Sequence, residues 1–259
     1  MERKNLVDTE LATKDKYMDV LPFISKYIKL KYALNISGLE NIPEGPAMLV
    51  ANHLRFDDSL IIAAAFANYV KQPLRLGAKS EYFEGGGINN KGLLGKPIQR
   101  FVENTQQIPV YREDSFKGAA TLAKAIKYRF SIGESVLLHA EGSRSPDGRL
   151  HKFKQGAAAF AIKYGVPIVP VGISYDDRRI FQRTFVDLQF DQALMPQDYG
   201  TEFRHYRHIP DGLVNAVAPR FMKQSERAAK ATEVLEARIG RMTNQELSGE
   251  FINPYAKKS

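Results

Sequence analysis

A histidine and an aspartate stand five residues apart, directly after a short apolar segment. Residues 47–51 are apolar and of strand length, His53 follows them, and Asp58 precedes a segment with helical character, Ser59–Val70. A carboxylate that accepts a proton from one imidazole nitrogen leaves the other nitrogen as a base. The two residues therefore predict a general base that removes a proton from a hydroxyl nucleophile.

The spacing restricts how the two side chains can meet. Five residues of regular helix would place them about 140° apart, so His53 must lie in the turn and Asp58 in the first helical turn. Asp57 is the competing partner for the imidazole. For this motif alone a structural interpretation is equally good, in which His53 ends a loop and Asp58 only complements the helix dipole.

Other polar side chains also follow predicted strands at the point where each strand ends. Lys79, Arg112 and Glu141 each stand directly after a separate short apolar segment, as His53 does. Ligands of parallel α/β sheets bind outside the carboxyl ends of the strands. We therefore expect the four side chains to converge on one crevice, although each alone could be a surface charge or a structural pair.

A tight turn, EGSRS at 141–145, carries two opposite charges. The planar guanidinium of Arg144 suits a phosphate or a carboxylate. Glu141 can accept from a substrate hydroxyl or orient Arg144, and the structural alternative is a Glu–Arg pair that rigidifies the loop. Neither Ser143 nor Ser145 lies within the G-x-S-x-G motif of a nucleophile elbow.

The elements that must position these residues alternate between strand and helix patterns. Strands are predicted at Tyr32–Ser37, 47–51, Leu74–Ala78, Ile108–Tyr111, Ser135–His139, Val166–Ser174 and Thr184–Phe190, and helices at 14–31, Ser59–Val70, Ser115 to about Phe130, Gln155–Tyr164 and Leu213–Arg241. This alternation predicts an α/β fold with a largely parallel central sheet flanked by helices. The expected organisation is an N-terminal helical segment, 1–31, and a single α/β domain with a C-terminal helix, 32–259.

The N-terminal segment is amphipathic. Apolar residues recur at helical spacing through 14–31, lysines lie among them, and Pro22 should kink or split the helix. The segment can pack on the core, or it can lie on an anionic bilayer with its lysines toward the headgroups. The residues alone slightly favour packing on the core.

Composition limits the class of protein. The 259 residues are 44% hydrophobic and 25% charged, with a net charge of +8 and no cysteine. The charge favours an anionic partner, but no run of Lys and Arg is dense enough for a nucleic-acid arm. The lack of cysteine excludes disulfides and Cys-ligated zinc. No apolar run reaches the roughly 18–20 residues of a membrane span, and the polar N-terminus does not resemble a signal peptide.

Taken together, these segments resemble the ordered sequence blocks of the glycerolipid (lysophosphatidic acid) acyltransferase family. The matching segments are Asn52-His53-x4-Asp58, Lys79 with Glu81-Tyr82-Phe83, Ile108–Arg112, Glu141–Ser145 and Val166–Val171, within a resemblance that extends from about Ser37 to Asp176. Three positions depart from the family pattern: Ser143 replaces the commoner Thr, His139 stands where Phe is usual, and Tyr111 replaces Asp. These departures leave the reaction type intact and the acceptor open.

The resemblance implies an α/β fold and acyl transfer from a thioester to the hydroxyl of a phosphate-bearing acceptor, first of all lysophosphatidic acid giving phosphatidic acid. His53 would be the general base and Asp58 its orienting partner. The implied substrate-binding residues are Lys79, Arg112, Glu141, Gly142, Ser143 and Arg144. Within this set, the basic side chains would hold the acceptor's phosphate.

The implied co-substrate is acyl-coenzyme A or an acyl carrier protein thioester, with no bound cofactor and no metal. Because a lysolipid acceptor resides in the bilayer, we expect a cytoplasmic protein that associates peripherally with the cytoplasmic face of the membrane. Glycerol 3-phosphate, another lysolipid or a non-phospholipid hydroxyl are alternative acceptors. Two other classes stay open: a metal-dependent hydrolase using His53, Asp57 or Asp58, and Glu141, and a non-catalytic module that binds anionic lipids.

Overall fold

The fold is a single sheet with helices on both faces. The structure, a computed structural model, describes residues 14–85, 95–111, 115–180, 183–196 and 224–252. The helices are α1 (Tyr17–Lys31), α2 (Asp58–Val70), α3 (Ser80–Phe83), α4 (Gly95–Asn104), α5 (Ser115–Ser131), α6 (Gly156–Tyr164) and α7 (Gln224–Thr243). The strands are β1 (Tyr32–Ser37), β2 (Met48–Ala51), β3 (Leu74–Lys79), β4 (Ile108–Val110), β5 (Ser135–His139), β6 (Ile168–Ile180) and β7 (Arg183–Phe190).

The sheet has the order β1-β7-β6-β2-β5-β3-β4. Every neighbouring pair is parallel except β6 and β7, which form an antiparallel pair. The α/β class and the largely parallel sheet are thus confirmed. Because β2, β3, β4, β5 and β6 run in the same direction, their carboxyl ends lie along one edge of the sheet.

The central strand β2 is buried on both faces. Ala47 and all four residues of β2 have no exposed surface. Successive side chains of a strand point to opposite faces. Leu49 and Ala51 accordingly join one apolar cluster with α1 and α2, whereas Met48 and Val50 join a second cluster with α5, α6 and α7. This two-sided burial explains why the segment is a continuous apolar run rather than an alternating one.

The N-terminal helix is continuous through Pro22, so the predicted split does not occur. α1 buries Tyr17, Leu21 and Ile28 against the sheet and exposes most of Phe23 and Leu30. The C-terminal helix is described from Gln224, and the predicted part before it lies outside the described residues. In the described ranges, no helix has both the length and the apolar character needed to cross a bilayer.

Candidate active site

The turn between β2 and α2 brings His53 against Asp58. Asp58 is the first residue of α2 and is fully buried. Its Oδ2 lies 3.0 Å from His53 Nδ1. Because an ionised carboxylate can only accept, Nδ1 carries the proton and Nε2 holds the lone pair that a general base requires.

Other donors fix the Asp58 carboxylate in place. The backbone amides of Leu54 and Arg55 donate to Oδ2 at 2.6 and 2.7 Å, and the Tyr175 hydroxyl donates to Oδ1. Burial raises the pKa of Asp58, and the hydrogen bonds from Tyr175 and the two amides oppose that shift. The carboxylate therefore has a single orientation, with Oδ2 toward the imidazole.

The neighbouring aspartate has different partners. Asp57 Oδ2 accepts from Lys31 Nζ at 2.6 Å, from the Tyr32 hydroxyl at 2.6 Å and from the Tyr27 hydroxyl at 3.1 Å. These donors lie on or directly after α1. Asp57 thus ties the turn between β2 and α2 to the N-terminal helix, and Asp58 is the carboxylate in contact with His53.

A second imidazole stacks on the first. The rings of His53 and His139 are 3.9 Å apart between centroids, with an angle of 12° between their planes. His139 Nδ1 lies 2.8 Å from the Asn52 carbonyl, which can only accept, and Nε2 lies 2.7 Å from Ser59 Oγ. Burial lowers the pKa of His139 to about 3. His139 is therefore a neutral ring that donates through Nδ1 and accepts from Ser59.

The sequence identifies His139 only as a departure from the family pattern and does not single out Ser59. One signal was available, because His139 replaces the commoner Phe of the family. A polar aromatic residue at that position, two residues before Glu141, requires a hydrogen-bond partner if it is buried. The spacing along the chain does not reveal Ser59 as that partner.

Glu141 holds the backbone of the turn between β2 and α2. The residue is buried, its Oε2 accepts from the His53 amide at 2.7 Å, and its Oε1 accepts from the His151 amide at 3.0 Å. Burial raises the pKa of Glu141 to about 7. Direct contact between Glu141 and a substrate stays a prediction, whereas the observed contacts position the main chain at His53.

Asn52 connects the turn to β6 and to the C-terminal segment. Its Oδ1 accepts from the Ile173 amide at 2.9 Å, and its Nδ2 donates to the Ile173 carbonyl at 2.9 Å and to Gln245 Oε1 at 2.7 Å. The side chain is fully buried. Asn52 thus extends the pairing between β2 and β6 by one residue and holds the start of the turn, a role that sequence reasoning did not assign.

A cavity of about 1440 Å³ opens at the carboxyl ends of the strands. His53, His139, Lys79, Gly142, Ser143 and Arg144 line it. Glu141 is buried and is not among the lining residues, and Arg112 lies outside the described residues. The cavity thus brings together side chains from the ends of β2, β3 and β5, and their roles in substrate binding stay predictions.

Lys154 is a cavity cation that sequence reasoning missed. Gly142 has a positive φ of 75°, and a Cβ built there would come within 2.8 Å of Lys154 Nζ. The ammonium group therefore lies close over the glycine backbone, at the wall that also carries Arg144. The positive φ favours glycine at 142, and a Cβ there would displace the Lys154 ammonium group from this position.

The rest of the cavity wall is largely apolar. Leu54, Leu60, Leu76, Ile98, Phe101, Val102, Val110, Leu122, Leu138 and Phe160 line it. Leu60, Leu76 and Leu138 lie on α2, β3 and β5, and each of these elements also carries a polar residue that lines the cavity. A polar region beside His53 therefore continues into an apolar space of the kind that accommodates a hydrocarbon chain.

The carboxylates proposed for a metal-dependent hydrolase are occupied by protein donors. Asp57, Asp58 and Glu141 each accept hydrogen bonds from N–H or O–H groups. Within the described ranges, no group of three ligand-type side chains could hold a metal ion. The oxygens that such a hydrolase would use are thus engaged in hydrogen bonds within the protein.

Comparisons with known proteins show which family the chain resembles. A family model described as Acyltransferase matches residues 33–174, which is more than half of the chain. The chain is 32% identical over 142 residues to a chloroplastic 1-acyl-sn-glycerol-3-phosphate acyltransferase of Arabidopsis thaliana, covering 54% of this chain and 35% of that protein. It is 28% identical over 136 residues to a 1-acyl-sn-glycerol-3-phosphate acyltransferase of Pseudomonas aeruginosa, covering 52% and 47%.

The alignments thus span about a third to a half of the length of these relatives. A solved structure, the 1-acyl-sn-glycerophosphate acyltransferase from Thermotoga maritima, is 21% identical, with a TM-score of 0.48 over 90% of this chain and 87% of that one.

Proposed function

This chain belongs to the acyltransferase family, and we propose that it transfers a fatty acyl group from a thioester to the hydroxyl of lysophosphatidic acid, giving phosphatidic acid. One observation carries the proposal. The cavity that contains His53, paired with a buried carboxylate, is lined by Lys79, Arg144 and Lys154 and continues into an apolar space. The named activity of the aligned relatives supports lysophosphatidic acid as the first acceptor to test.

The reaction is a direct transfer. Nε2 of His53 takes the proton of the acceptor hydroxyl as its oxygen attacks the thioester carbonyl carbon. The carbon–sulfur bond of the tetrahedral intermediate then breaks, and the departing thiolate takes the proton back from the imidazolium. Asp58 stabilises that imidazolium while it exists.

Ser59 supports direct transfer rather than an acyl-enzyme. Its hydroxyl donates to His139, which would have to act as its base. Because burial lowers the pKa of His139 to about 3, that imidazole is a poor proton acceptor. A covalent acyl-serine at this position is therefore not part of the proposed mechanism.

The cations hold the acceptor's phosphate in this proposal. Lys79, Arg144 and Lys154 reach the polar part of the cavity from three segments of the chain. Arg144 can offer two parallel donors to a phosphate, and the lysines contribute point charges. Binding of the phosphate by Arg112 stays a prediction, because Arg112 lies outside the described residues. The acyl chains occupy the apolar part of the cavity.

The donor is acyl-coenzyme A or an acyl carrier protein thioester. Membership of the acyltransferase family supports a thioester as the acyl donor. The thiol-release assay described below distinguishes coenzyme A from the carrier protein.

We further propose that the protein docks peripherally on the cytoplasmic face of a membrane through α1. Phe23 and Leu30 are 74% and 70% exposed, and Lys26 and Lys29 lie on the same helix. Exposed apolar side chains with neighbouring lysines suit the boundary between headgroups and acyl chains. Phe23 and Tyr27 also line the active-site cavity, so docking would bring the cavity to the source of a lipid acceptor.

Thiol release from both donors, with each acceptor in turn, tests the proposed function. The acceptors are lysophosphatidic acid, glycerol 3-phosphate, lysophosphatidylcholine and an amino-alcohol lipid. We expect release that depends on lysophosphatidic acid, accompanied by phosphatidic acid in equal amount. Faster transfer to another acceptor would replace the substrate, and the absence of acceptor-dependent release with every pair would leave lipid binding as the function.

A further inference from the structure

A tyrosine from β6 reaches the buried carboxylate of the catalytic pair. The Tyr175 hydroxyl donates to Asp58 Oδ1, whereas His53 and the amides of Leu54 and Arg55 all share Oδ2. Among the residues that the structure describes, Tyr175 is the donor that serves Oδ1. It follows directly after the matched family segment, 33–174, so the match does not include it.

The tyrosine is itself held in place. Tyr175 pairs with Val186 in the antiparallel ladder between β6 and β7. The guanidinium carbon of Arg55 lies 4.1 Å from the ring centroid, and the Tyr32 ring lies 6.1 Å away. Arg55 therefore contacts Tyr175 through its side chain and Asp58 through its backbone amide. Such a preorganised donor does not need to be reoriented during the reaction.

We infer that Tyr175 is a positioning residue that completes a hydrogen-bonded chain, Tyr175–Asp58–His53, and keeps Asp58 ionised and oriented while His53 carries the acceptor's proton. This inference rests on the proposed function, because His53 must act as the base. Without the phenol, Oδ1 would be buried with no donor in the described part of the chain. The carboxylate could then rotate or take up a proton, and either change weakens its support of the imidazolium.

The groups around Asp58 determine in which direction its pKa changes when the Tyr175 hydroxyl is removed. His53, His139 and Glu141 are the other titratable groups that interact with Asp58. Arg55 contacts Asp58 through its backbone amide, and its guanidinium faces the Tyr175 ring. The Tyr175 hydrogen bond lowers the pKa of Asp58 against the effect of burial. Burial raises the pKa of Tyr175, so its phenol stays a donor over the working range. Removing this donor raises the pKa of Asp58 further.

The test compares Tyr175→Phe with Tyr164→Phe. Tyr164 is a matched control, because its hydroxyl donates to the Ala123 carbonyl and is not part of the catalytic pair. We expect Tyr175→Phe to lower kcat by about tenfold to a hundredfold, as for loss of a hydrogen bond to a charged group, with little change in KM. The acidic limb of the kcat/KM profile should move to higher pH. Tyr164→Phe should leave both unchanged.

A double-mutant cycle separates this role from a structural one. If Tyr175 acts through Asp58, Tyr175→Phe should cause little further loss in the Asp58→Asn enzyme. Should the phenylalanine variant not fold, 3-fluorotyrosine at position 175 retains the shape and is a stronger donor, so it should move the acidic limb to lower pH. An unchanged pH profile, or an equal loss in the presence and absence of Asp58, would overturn the inference.

The inference can fail separately from the proposed function. A second readout is the NMR resonance of the hydrogen-bonded Nδ1 proton of His53, measured in the substrate-free protein. Its resonance should shift in Tyr175→Phe and not in Tyr164→Phe, whether or not an acceptor has been found. An active wild type with an unaffected resonance and rate in Tyr175→Phe would contradict the inference alone.

Discussion

Two adjacent aspartates illustrate how far residue-level prediction reaches. The sequence indicates that His53 needs a carboxylate and offers Asp57 and Asp58. Helix geometry favours neither strongly, because both stand near the first turn of α2. The choice depends on long-range donors: Tyr175 is 117 residues from Asp58, and Lys31 is 26 residues from Asp57. Those partners are unknown until the fold is known.

Glu141 gives a prediction about stability and pH. Burial raises its pKa from 4.5 to about 7, so the native state binds more protons than the unfolded state between these values. The unfolding free energy contributed by this group must therefore fall as pH rises from about 4.5 to 7, and stay level above that. The glutamine side chain of Glu141→Gln does not titrate in this pH range. The difference in unfolding free energy, wild type minus variant, should fall over this interval in urea titrations.

The exposed Glu44 provides the control for this experiment, since Glu44→Gln removes a carboxylate from the surface. It corrects the Glu141 comparison for the general effect of losing one negative charge. Parallel pH curves for the wild type and Glu141→Gln would show that burial does not raise the pKa of Glu141.

The strands and most helices were predictable from local patterns, and the exceptions have physical causes. β6 continues past the predicted Ser174 to Ile180 because it pairs with β7, a non-local interaction. α4 was not predicted, because Gly95 and Pro97 resemble breakers. The first helical turn tolerates proline, since its N–H groups have no intrahelical partner, and both residues lie there.

Helix α1 gives a prediction about membrane association. The double variant Phe23→Ser with Leu30→Ser removes the two most exposed apolar side chains of the helix without touching its buried face. We expect it to lose most of its binding to vesicles that contain phosphatidylglycerol. Lys26→Glu with Lys29→Glu should weaken binding mainly at low salt, because screening already reduces the attraction at high salt. Co-sedimentation measures both.

Lys124→Glu with Lys127→Glu on α5 is the charge control for the lysine double variant, since it reverses two exposed lysines on a different helix. It should bind vesicles more strongly than either α1 variant. Unchanged binding of the α1 variants would refute docking through this helix and leave the acyl-transfer proposal intact.

The topology of the whole molecule explains why distant segments form one cavity. β2, β3 and β5 are adjacent and parallel, so the residues at their ends meet at one edge of the sheet. This convergence follows from alternating strands and helices and was predictable. The hydrogen bonds that hold the turn at His53 were not predictable, because they join distant segments of the chain. Asn52 and Gln245 are 193 residues apart, and His53 and Glu141 are 88 residues apart.

In the proposed mechanism, His53, oriented by Asp58, removes the acceptor's proton in this cavity. The most direct test is acceptor-dependent thiol release by purified His53→Ala at saturating donor and acceptor, with thermal unfolding as the check of folding. We predict that kcat falls by about a hundredfold to ten-thousandfold, as expected for loss of a general base, in a protein that remains folded. Near-normal turnover by folded His53→Ala would contradict the mechanism.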